Sequence, residues 1–382
     1  MHEAVLMLYG EYENADGVRH PDQEDMFPDR PDLDRQFMEH GSRLHIGRVL
    51  EAPSGPRELG TPPRIEVAQN PIYDKHGTLL PETVFEEGSL TDYQSIIDHW
   101  VANFQDRVPQ PDGSTLRTAY GLGVPNEHLW NCRPIQYMAN DKTLMEAVLA
   151  ESGVGIPTYN ADTLDALVQE HPGAQIFYKP VDGSLSKGTA EFDTPAAVLR
   201  ALQKKQIARS GILQPYLDLT SAIRTLRAPK DNAAAAQELA AVNSHDNRLR
   251  EVRMHTLAYT DEHGNVQVEA YPTLKYSLPN TRVMKRAGCV ALDPESIDAE
   301  TYATTKNIGQ RVISAAITHT GEPVTQYYGT VDWVKDTQGR WYVIDVNCRG
   351  PRLTIESPLA RAAFARVLTH SGRQNRAAYL QE

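Results

Sequence analysis

Cysteine is scarce: three in 382 residues, Cys132, Cys289 and Cys348, far apart in the chain. No CxxC pair occurs, so neither a disulfide framework nor a cysteine-rich zinc site is expected. Such usage fits a reducing cytoplasm. Long apolar runs are missing too, and no stretch approaches the ~18 residues of a membrane span. The apolar run in MHEAVLMLYG has no basic flank and is too short for a secretory signal. Positive charge is in deficit. Lys and Arg number 38 against 50 Asp and Glu, a formal net charge of −12. That balance argues against a general binder of nucleic acid or anionic membrane, and leaves room for a local basic pocket. No internal repeat or low-complexity tract is present.

What is there reads as an ordinary globular chain. Hydrophobic residues are 40% and charged residues 23%. The length allows two or three domains and a sizeable core. Residues 4–9 predict a buried strand, and 52–63 a Pro/Gly loop. Residues 64–68 and 78–85 predict strands. SIIDHWVANF, residues 95–104, has helical spacing, and 108–123 is again rich in Pro and Gly. A soft domain boundary is placed near residue 135.

Beyond residue 140 the signals sharpen. Asn140 and Asp141 are good cap residues for a helix over 142–151, which Gly153, Gly155 and Pro157 end. A short helix over 164–170, strands at 175–180 and 189–192, a helix at 195–204 and a strand at 211–217 follow. DNAAAAQELAAV, residues 231–242, has high helix propensity and reads as an insertion. Strands are expected at 250–259 and 266–274, a helix at 300–316, a hairpin over 328–346 and a closing helix at 358–368. Helices and strands interleave with hairpins, so the class is mixed α/β, or α+β, with partly antiparallel sheets.

The strongest local signal is GTVDWVKDTQGRWYVIDVNCRGP, residues 329–351. A tight turn at Gln338–Gly339 would set Thr337 against Arg340 and Asp332 against Asp345. Asn347, two residues on, would share their face. Two carboxylates directly opposite repel one another, and a hard divalent cation would relieve them. A register slipped by one residue would separate them instead.

Lys179 ends a strand and leads into the Gly/Ser loop 183–188, whose backbone N–H groups suit phosphate oxygens. GSLSKGT is not a Walker A sequence, because Lys187 is followed by Gly188 rather than Ser or Thr. Lys142 opens a capped helix, where an anion is welcome. Either lysine alone reads more readily as a surface residue. In Gln214-Pro215-Tyr216-Leu217 the proline ends a strand and would leave backbone groups to read a base edge. Arg224, Arg227, Arg250, Arg253, Arg282, Lys285, Arg286, Arg349 and Arg352 crowd the second half of this acidic chain. Arg253 alternates with apolar residues in REVRMHTLAY and should point inward to a carboxylate or phosphate. Trp130, Tyr327 and Tyr328 are candidates for a pocket lining or for the core.

The order of these segments resembles the ATP-grasp superfamily, in particular its glutathione-synthetase-like and peptide-ligase-like members. NDK ending at Lys142, KPVDGSLSKG from Lys179, ILQPYL, REVRM and the late set Asp332, Asp345 and Asn347 carry the resemblance, over roughly residues 136–365. It implies two α+β subdomains gripping ATP between antiparallel sheets, over 136–210 and 211–382, with a helical insertion near 220–248. A smaller N-terminal α/β domain, 1–135, would precede them.

The resemblance also implies roles. Lys142 and Lys179 would contact ATP phosphates, under a loop containing Ser184, Leu185 and Ser186. Gln214, Tyr216 and Leu217 would form the adenine hinge, with Asp218, or an acid beyond the insertion, on the ribose. Asp332, Asp345 and Asn347 would hold Mg²⁺ or Mn²⁺. Arg253 and Arg286 would stabilise the transferred phosphoryl group, and Arg349 or Arg352 would hold a substrate carboxylate. The implied activity is ATP-dependent joining of a small-molecule or peptide carboxylate to an amine through an acyl phosphate. A kinase or a ligase to a thiol or hydroxyl would share the ATP half, and a non-catalytic nucleotide binder ranks last. Many relatives are dimers, so a homodimer is possible. Three departures stand out: Leu185-Ser186 replaces the usual Gly-Gly, Asp345 replaces the commoner glutamate, and Pro215 sits in the hinge.

Overall fold

Residues 4–8 are apolar throughout and buried on both faces of the strand they lie in. The computed structural model describes residues 4–9, 11–13, 19–21, 30–49, 65–73, 79–93, 95–98, 105–109, 115–119, 124–181, 188–217, 226–245, 248–261, 263–280, 286–336, 338–348 and 357–379.

The N-terminal part contains β1 (Ala4–Tyr9), β2 (Glu11–Glu13), β3 (Arg19–Pro21), α1 (Arg30–Glu39), β4 (Arg43–Val49) and β5 (Ile65–Ala68). It continues with β6 (Glu86–Gly88), β7 (Ile96–Asp98), β8 (Gln105–Pro109), β9 (Thr115–Ala119), β10 (Leu129–Trp130) and α2 (Arg133–Asn140). Six strands form one sheet in the order β10-β7-β1-β4-β5-β6, parallel through β4 and antiparallel beyond it. Val5 and Met7 face α1, and Leu6 and Leu8 face the opposite side of the sheet, toward α2.

Three expectations change here. Ile96–Asp98 is a strand rather than the start of a helix; both isoleucines are buried beside β1, and a strand covered on both faces carries consecutive apolar residues that mimic helical spacing. Residues 99–104 lie outside the described residues. The strand expected at 78–85 gives way to an isolated bridge at Leu79 and a turn at 81–82, where Pro81 interrupts pairing; β6 begins only at Glu86. The Pro- and Gly-rich stretch 108–123 includes the end of β8 and all of β9, which pair as a hairpin. The boundary expected near residue 135 falls inside α2, which packs on the helix Ala299–Thr320 of the last part of the chain.

The middle part comprises α3 (Lys142–Ser152), α4 (Leu164–Glu170), β11 (Ile176–Lys179), β12 (Ala190–Phe192), α5 (Pro195–Gln203) and β13 (Ile212–Pro215). Its antiparallel sheet runs β12-β11-β13, and its core is Leu164, Leu167, Ile176, Tyr178, Val198 and Leu213. We refer to it as the smaller lobe.

The last part comprises α6 (Ala233–Asn243), β14 (Arg250–Thr260), β15 (Val266–Ser277), β16 (Arg286–Ala291), α7 (Ala299–Thr320), β17 (Gln326–Lys335), β18 (Trp341–Asn347) and α8 (Pro358–Tyr379). Its five antiparallel strands run β16-β15-β14-β17-β18. Strand alternation sorts the side chains. Val252, Met254, Leu274, Val331 and Trp333 pack with Ile308, Val312 and Ala316 of α7, and Trp333 Nε1 donates to Thr305 Oγ1 at 3.0 Å. On the opposite face, Leu257 and Tyr328 meet Phe364 of α8, which also joins the core of the N-terminal sheet. The same face carries the charged residues Glu251, Arg253, Lys275, Asp332 and Asp345. Trp130, Tyr327 and Tyr328 are core residues, at most 2% exposed.

The insertion helix α6 buries Ala235, Leu239 and Val242. The buried Arg250 guanidinium fastens its end, donating to the carbonyls of Val242, His245 and Arg248 at 3.0, 2.6 and 3.1 Å. A cation on the last carbonyls of a helix complements its dipole.

Candidate functional site

The charged face is laid out by strand register. Arg253 of β14 lies opposite Thr273 of β15 on one side and Asp332 of β17 on the other. Asp332 lies opposite Asp345 of β18, and Asn347 opposite Thr330. The expected pairing of the two aspartates is therefore present, but not by the expected turn. Asp336 N–H donates to Arg340 O at 2.9 Å, and Asp336 Oδ1 accepts from the N–H groups of Gln338 and Arg340. Three residues, not two, cross between the strands. Gly339 sits at φ 84°, where a side chain would be strained. Near the turn Trp333 pairs with Val343, which would set Asp332 against Ile344. A bulge at Ile344 cancels the offset and returns Asp345 to the face of Asp332. Without it Asp345 would lie on the α7 side.

Within the sheet, charges are matched. Arg253 grips Asp332 with both ends of its guanidinium, Nε to Oδ1 at 2.8 Å and Nη2 to Oδ2 at 2.7 Å. Asp332 is 3% exposed and Arg253 14%. Lys275 Nζ donates to Glu251 at 2.7 Å and stands 3.8 Å from Asp332. Burial pushes the Asp332 carboxyl up, but Arg253 and Lys275 outweigh it and hold the group well below the ordinary range. Burial lowers the Lys275 ammonium, and Glu251 and Asp332 more than restore it. Beside this row the buried His255 has Nδ1 2.9 Å from the Tyr328 hydroxyl and Nε2 3.3 Å from Thr273 Oγ1.

Asp345 is different. Its side chain is 35% exposed, and its counter-ion is Lys142, Nζ to Oδ1 3.4 Å, from the smaller lobe. Burial raises this carboxyl, and Lys142 and Lys179 bring it below the ordinary range. Lys179, at the end of β11, donates to the bulged Ile344 carbonyl at 2.8 Å. Burial lowers the Lys179 ammonium, and Glu146 and Asp345 offset only part of that. Val343 N–H donates to Val154 O at 2.9 Å, so the smaller lobe also covers the edge of β18. The α3 N-terminus is closed by Asp141, which accepts from Thr143 N–H at 2.8 Å.

Gln214 is buried in β13, and its Nε2 donates to Glu146 Oε1 at 3.2 Å and to Thr158 Oγ1 at 3.0 Å. Burial raises the Glu146 carboxyl, against the pull of Lys179. The backbone N–H of Tyr216 was expected to be open beyond Pro215, yet it donates to Gln175 O at 2.8 Å; the strand keeps pairing one residue past the proline. Leu217 follows, half-buried. Arg286 is described only as the first residue of β16, paired with Ser277. Ser184, Leu185, Ser186, Asp218, Arg349 and Arg352 lie outside the described residues.

Glu146, Thr158, Glu251 and Lys275 belong to the site without having been singled out in the sequence. Glu146 is one turn along α3 from Lys142, and Glu251 is two residues before Arg253, so face periodicity alone could have found both.

The donor set suits a hard cation. Two carboxylates and one amide lie on one face, Asp345 is partly open, and the Asn347 side chain has no hydrogen-bond partner among the described residues. No cluster of three or more His, Cys, Asp or Glu side chains suited to a metal occurs among the described residues, so any cation here draws on the amide or on a ligand's own oxygens.

The site makes a pH prediction. Asp332 and Asp345 are both lowered on folding, so the stability they contribute is complete above the unfolded carboxylate range, ~pH 4, and is lost as pH falls through their lower folded values. Urea midpoints measured from pH 6 to pH 2.5 should drop below ~pH 4. Asp332→Asn should flatten that drop; an unchanged slope would remove Asp332 as its source.

No protein-family profile matches this sequence, and no curated protein matches it. Solved structures do. A RiPP-associated ATP-grasp ligase from Chryseobacterium gregarium, in complex with ADP and a leader and core peptide, aligns at 12% identity and a TM-score of 0.50 over 97% of each chain. D-alanyl-alanine synthetase A from Vibrio cholerae aligns at 11% identity and a TM-score of 0.48, over 98% of this chain and 100% of that one. D-cycloserine synthetase aligns at 14% and 0.47, over 96% and 100%. The chain has the ATP-grasp fold. Among its described residues no helix is long and apolar enough to cross a membrane.

Proposed function

We propose that the chain is an ATP-dependent carboxylate–amine ligase. The observation that carries this is the pair of facing carboxylates, Asp332 and Asp345, met by Arg253 and Lys275 from their own sheet and by Lys142 from the smaller lobe. Such a row suits an anion that carries a cation with it, as a nucleotide phosphate does.

In this reading Lys142 and Lys179 hold the phosphates, and β13 and Leu217 border the base. Asp332, Asp345 and Asn347 would hold Mg²⁺, which, when bound, withdraws charge from the phosphates. A substrate carboxylate oxygen attacks the γ-phosphorus, the bond to the β-phosphate oxygen breaks, and ADP departs. Arg253 and Lys275 stabilise the charge on the phosphoryl oxygens in transit. The amine nitrogen then attacks the acyl carbon of the acyl phosphate. Phosphate leaves, the amine gives up a proton, and an amide remains. The Gly/Ser loop 183–188 excludes water from that intermediate. Peptide carboxylates head the list of substrates to try, because the aligned Chryseobacterium ligase is in complex with a leader and core peptide.

The test is ADP release over a panel of carboxylate and amine pairs, followed by mass spectrometry of the product. A product lighter than its two substrates together by one water supports the ligase. A phosphorylated substrate with no condensation would replace it with a kinase.

A further inference from the structure

Asp332 is neutralised within its own sheet, whereas Asp345 depends on the other lobe. Among the described residues the ammonium within 4 Å of Asp345 is that of Lys142, at 3.4 Å. One residue back, Lys179 holds the carbonyl of Ile344 at 2.8 Å. The two lysines read above as phosphate ligands are thus engaged with adjacent residues of β18. Lys142 is 21% exposed and Asp345 35%, so their contact lies at the open edge of the charged face. An ammonium is a compact, well-hydrated point charge on a flexible stem. Beside a partly open carboxylate it compensates charge as a small cation would.

We propose that Lys142 is a placeholder cation, which neutralises Asp345 until a divalent cation and a nucleotide arrive together and then moves to the nucleotide's phosphates. The proposal rests on the ligase reading and adds an order of events to it. A nucleotide without a divalent cation would draw Lys142 away and leave Asp345 facing Asp332 with no counter-ion of its own. Like charges directly opposite in a ladder destabilise it. A divalent cation without nucleotide would have to displace an ammonium tethered to the first turn of α3, with no phosphate for that ammonium to go to. When both come, the carboxylates exchange one positive charge for two, and the released ammonium meets an anion. Cation and nucleotide should therefore bind with positive coupling, and each should tighten the other equally.

Manganese(II) is the probe, followed by the loss of its free-ion electron paramagnetic resonance signal, with the chelation of Mn²⁺ by ADP itself measured without protein and subtracted. In the wild-type protein Mn²⁺ alone should bind weakly, and saturating ADP should tighten it by ~10-fold or more, within the range usual for coupled sites. Lys142→Met keeps the length and apolar stem of the side chain and removes the ammonium. In that variant Mn²⁺ alone should bind ~10-fold more tightly than in the wild type, and the coupling to ADP should shrink. Adding Asp345→Asn should abolish the gain, which places the ion at Asp345. Lys142→Gln serves the same purpose should the methionine variant not fold, and a thermal melt checks both.

A folded Lys142 variant with unchanged or weaker Mn²⁺ affinity overturns the placeholder, as does a gain that survives Asp345→Asn. If the wild type binds Mn²⁺ with ADP but the variants show no gain, only the placeholder falls. If the wild type binds no Mn²⁺ and ADP under any condition, the ligase reading falls and the placeholder with it.

Discussion

Arg253→Ala should lower the unfolding free energy by about 3 kcal/mol and abolish ATP turnover. The stability loss follows from burial. Asp332 is 3% exposed and is held by two hydrogen bonds from Arg253, so truncation leaves a carboxylate in the sheet interior with Lys275, 3.8 Å away, as the remaining ion-pair partner among the described residues. Removing one partner of a buried ion pair typically costs 3–5 kcal/mol, and the remaining lysine places the value at ~3. A double-mutant cycle separates this from loss of packing. Arg253→Met with Asp332→Leu removes both charges and should recover most of the stability, because an apolar pair is a fair substitute for a buried ion pair. It should recover none of the turnover. Urea titration of the four proteins is the measurement, and additive losses would show that the two residues do not depend on one another.

Asp345→Ala is expected to do the reverse. Its carboxylate is 35% exposed, it faces a second carboxylate, and its partner Lys142 can turn to solvent. The unfolding midpoint should fall far less than in Arg253→Ala, because what is lost is one partly exposed ion pair with Lys142. ATP turnover should fall by ~10²–10³-fold or more, the scale of losing one preorganised electrostatic contact in a catalytic site. The dependence of rate on Mg²⁺ concentration should disappear with it. Turnover near the wild-type level in this variant would sink the assignment of Asp345, and a large loss of stability would mean that it is a structural residue instead.

These contrasting expectations show what the sequence can and cannot convey. Asp332, Asp345 and Asn347 stand out because acids and an amide interrupt two strongly apolar runs, and period-two geometry then places them together. From α3 onward most elements follow their caps and periodicity: Asp141 caps α3, Thr194 caps α5 and Asp298 caps α7, whereas β16 was not foreseen and α8 runs past residue 368 to Tyr379. The N-terminal part was harder. Strand β1 was legible as a continuous apolar run, but β7 is short and its two isoleucines are both buried, so it lacks alternation, and helix α1 is mostly polar. The charge partners were hidden for another reason. Lys275 meets Glu251 across a strand pair, and Gln214 meets Glu146 between β13 and α3 of the smaller lobe; face periodicity can single out the acids, but no local pattern encodes a contact 24 or 68 residues away.

The bulge at Ile344 has a consequence for how this hairpin can change over generations. The crossing loop carries one residue more than a two-residue turn, and the bulge carries one residue more than its partner strand. Both irregularities are places where the hairpin can absorb a change of length. Losing the codon for residue 344 would iron out the bulge and leave Val343 opposite Trp333, Asp345 opposite Asp332 and Asn347 opposite Thr330. Losing one of residues 337–339 would shorten the crossing to two residues inside the same Asp336–Arg340 closure. Losing Val346 instead would carry Asn347 to the opposite face from Asp345. Lineages that vary in length here should do so at the loop or at the bulge, and not between the acid and the amide.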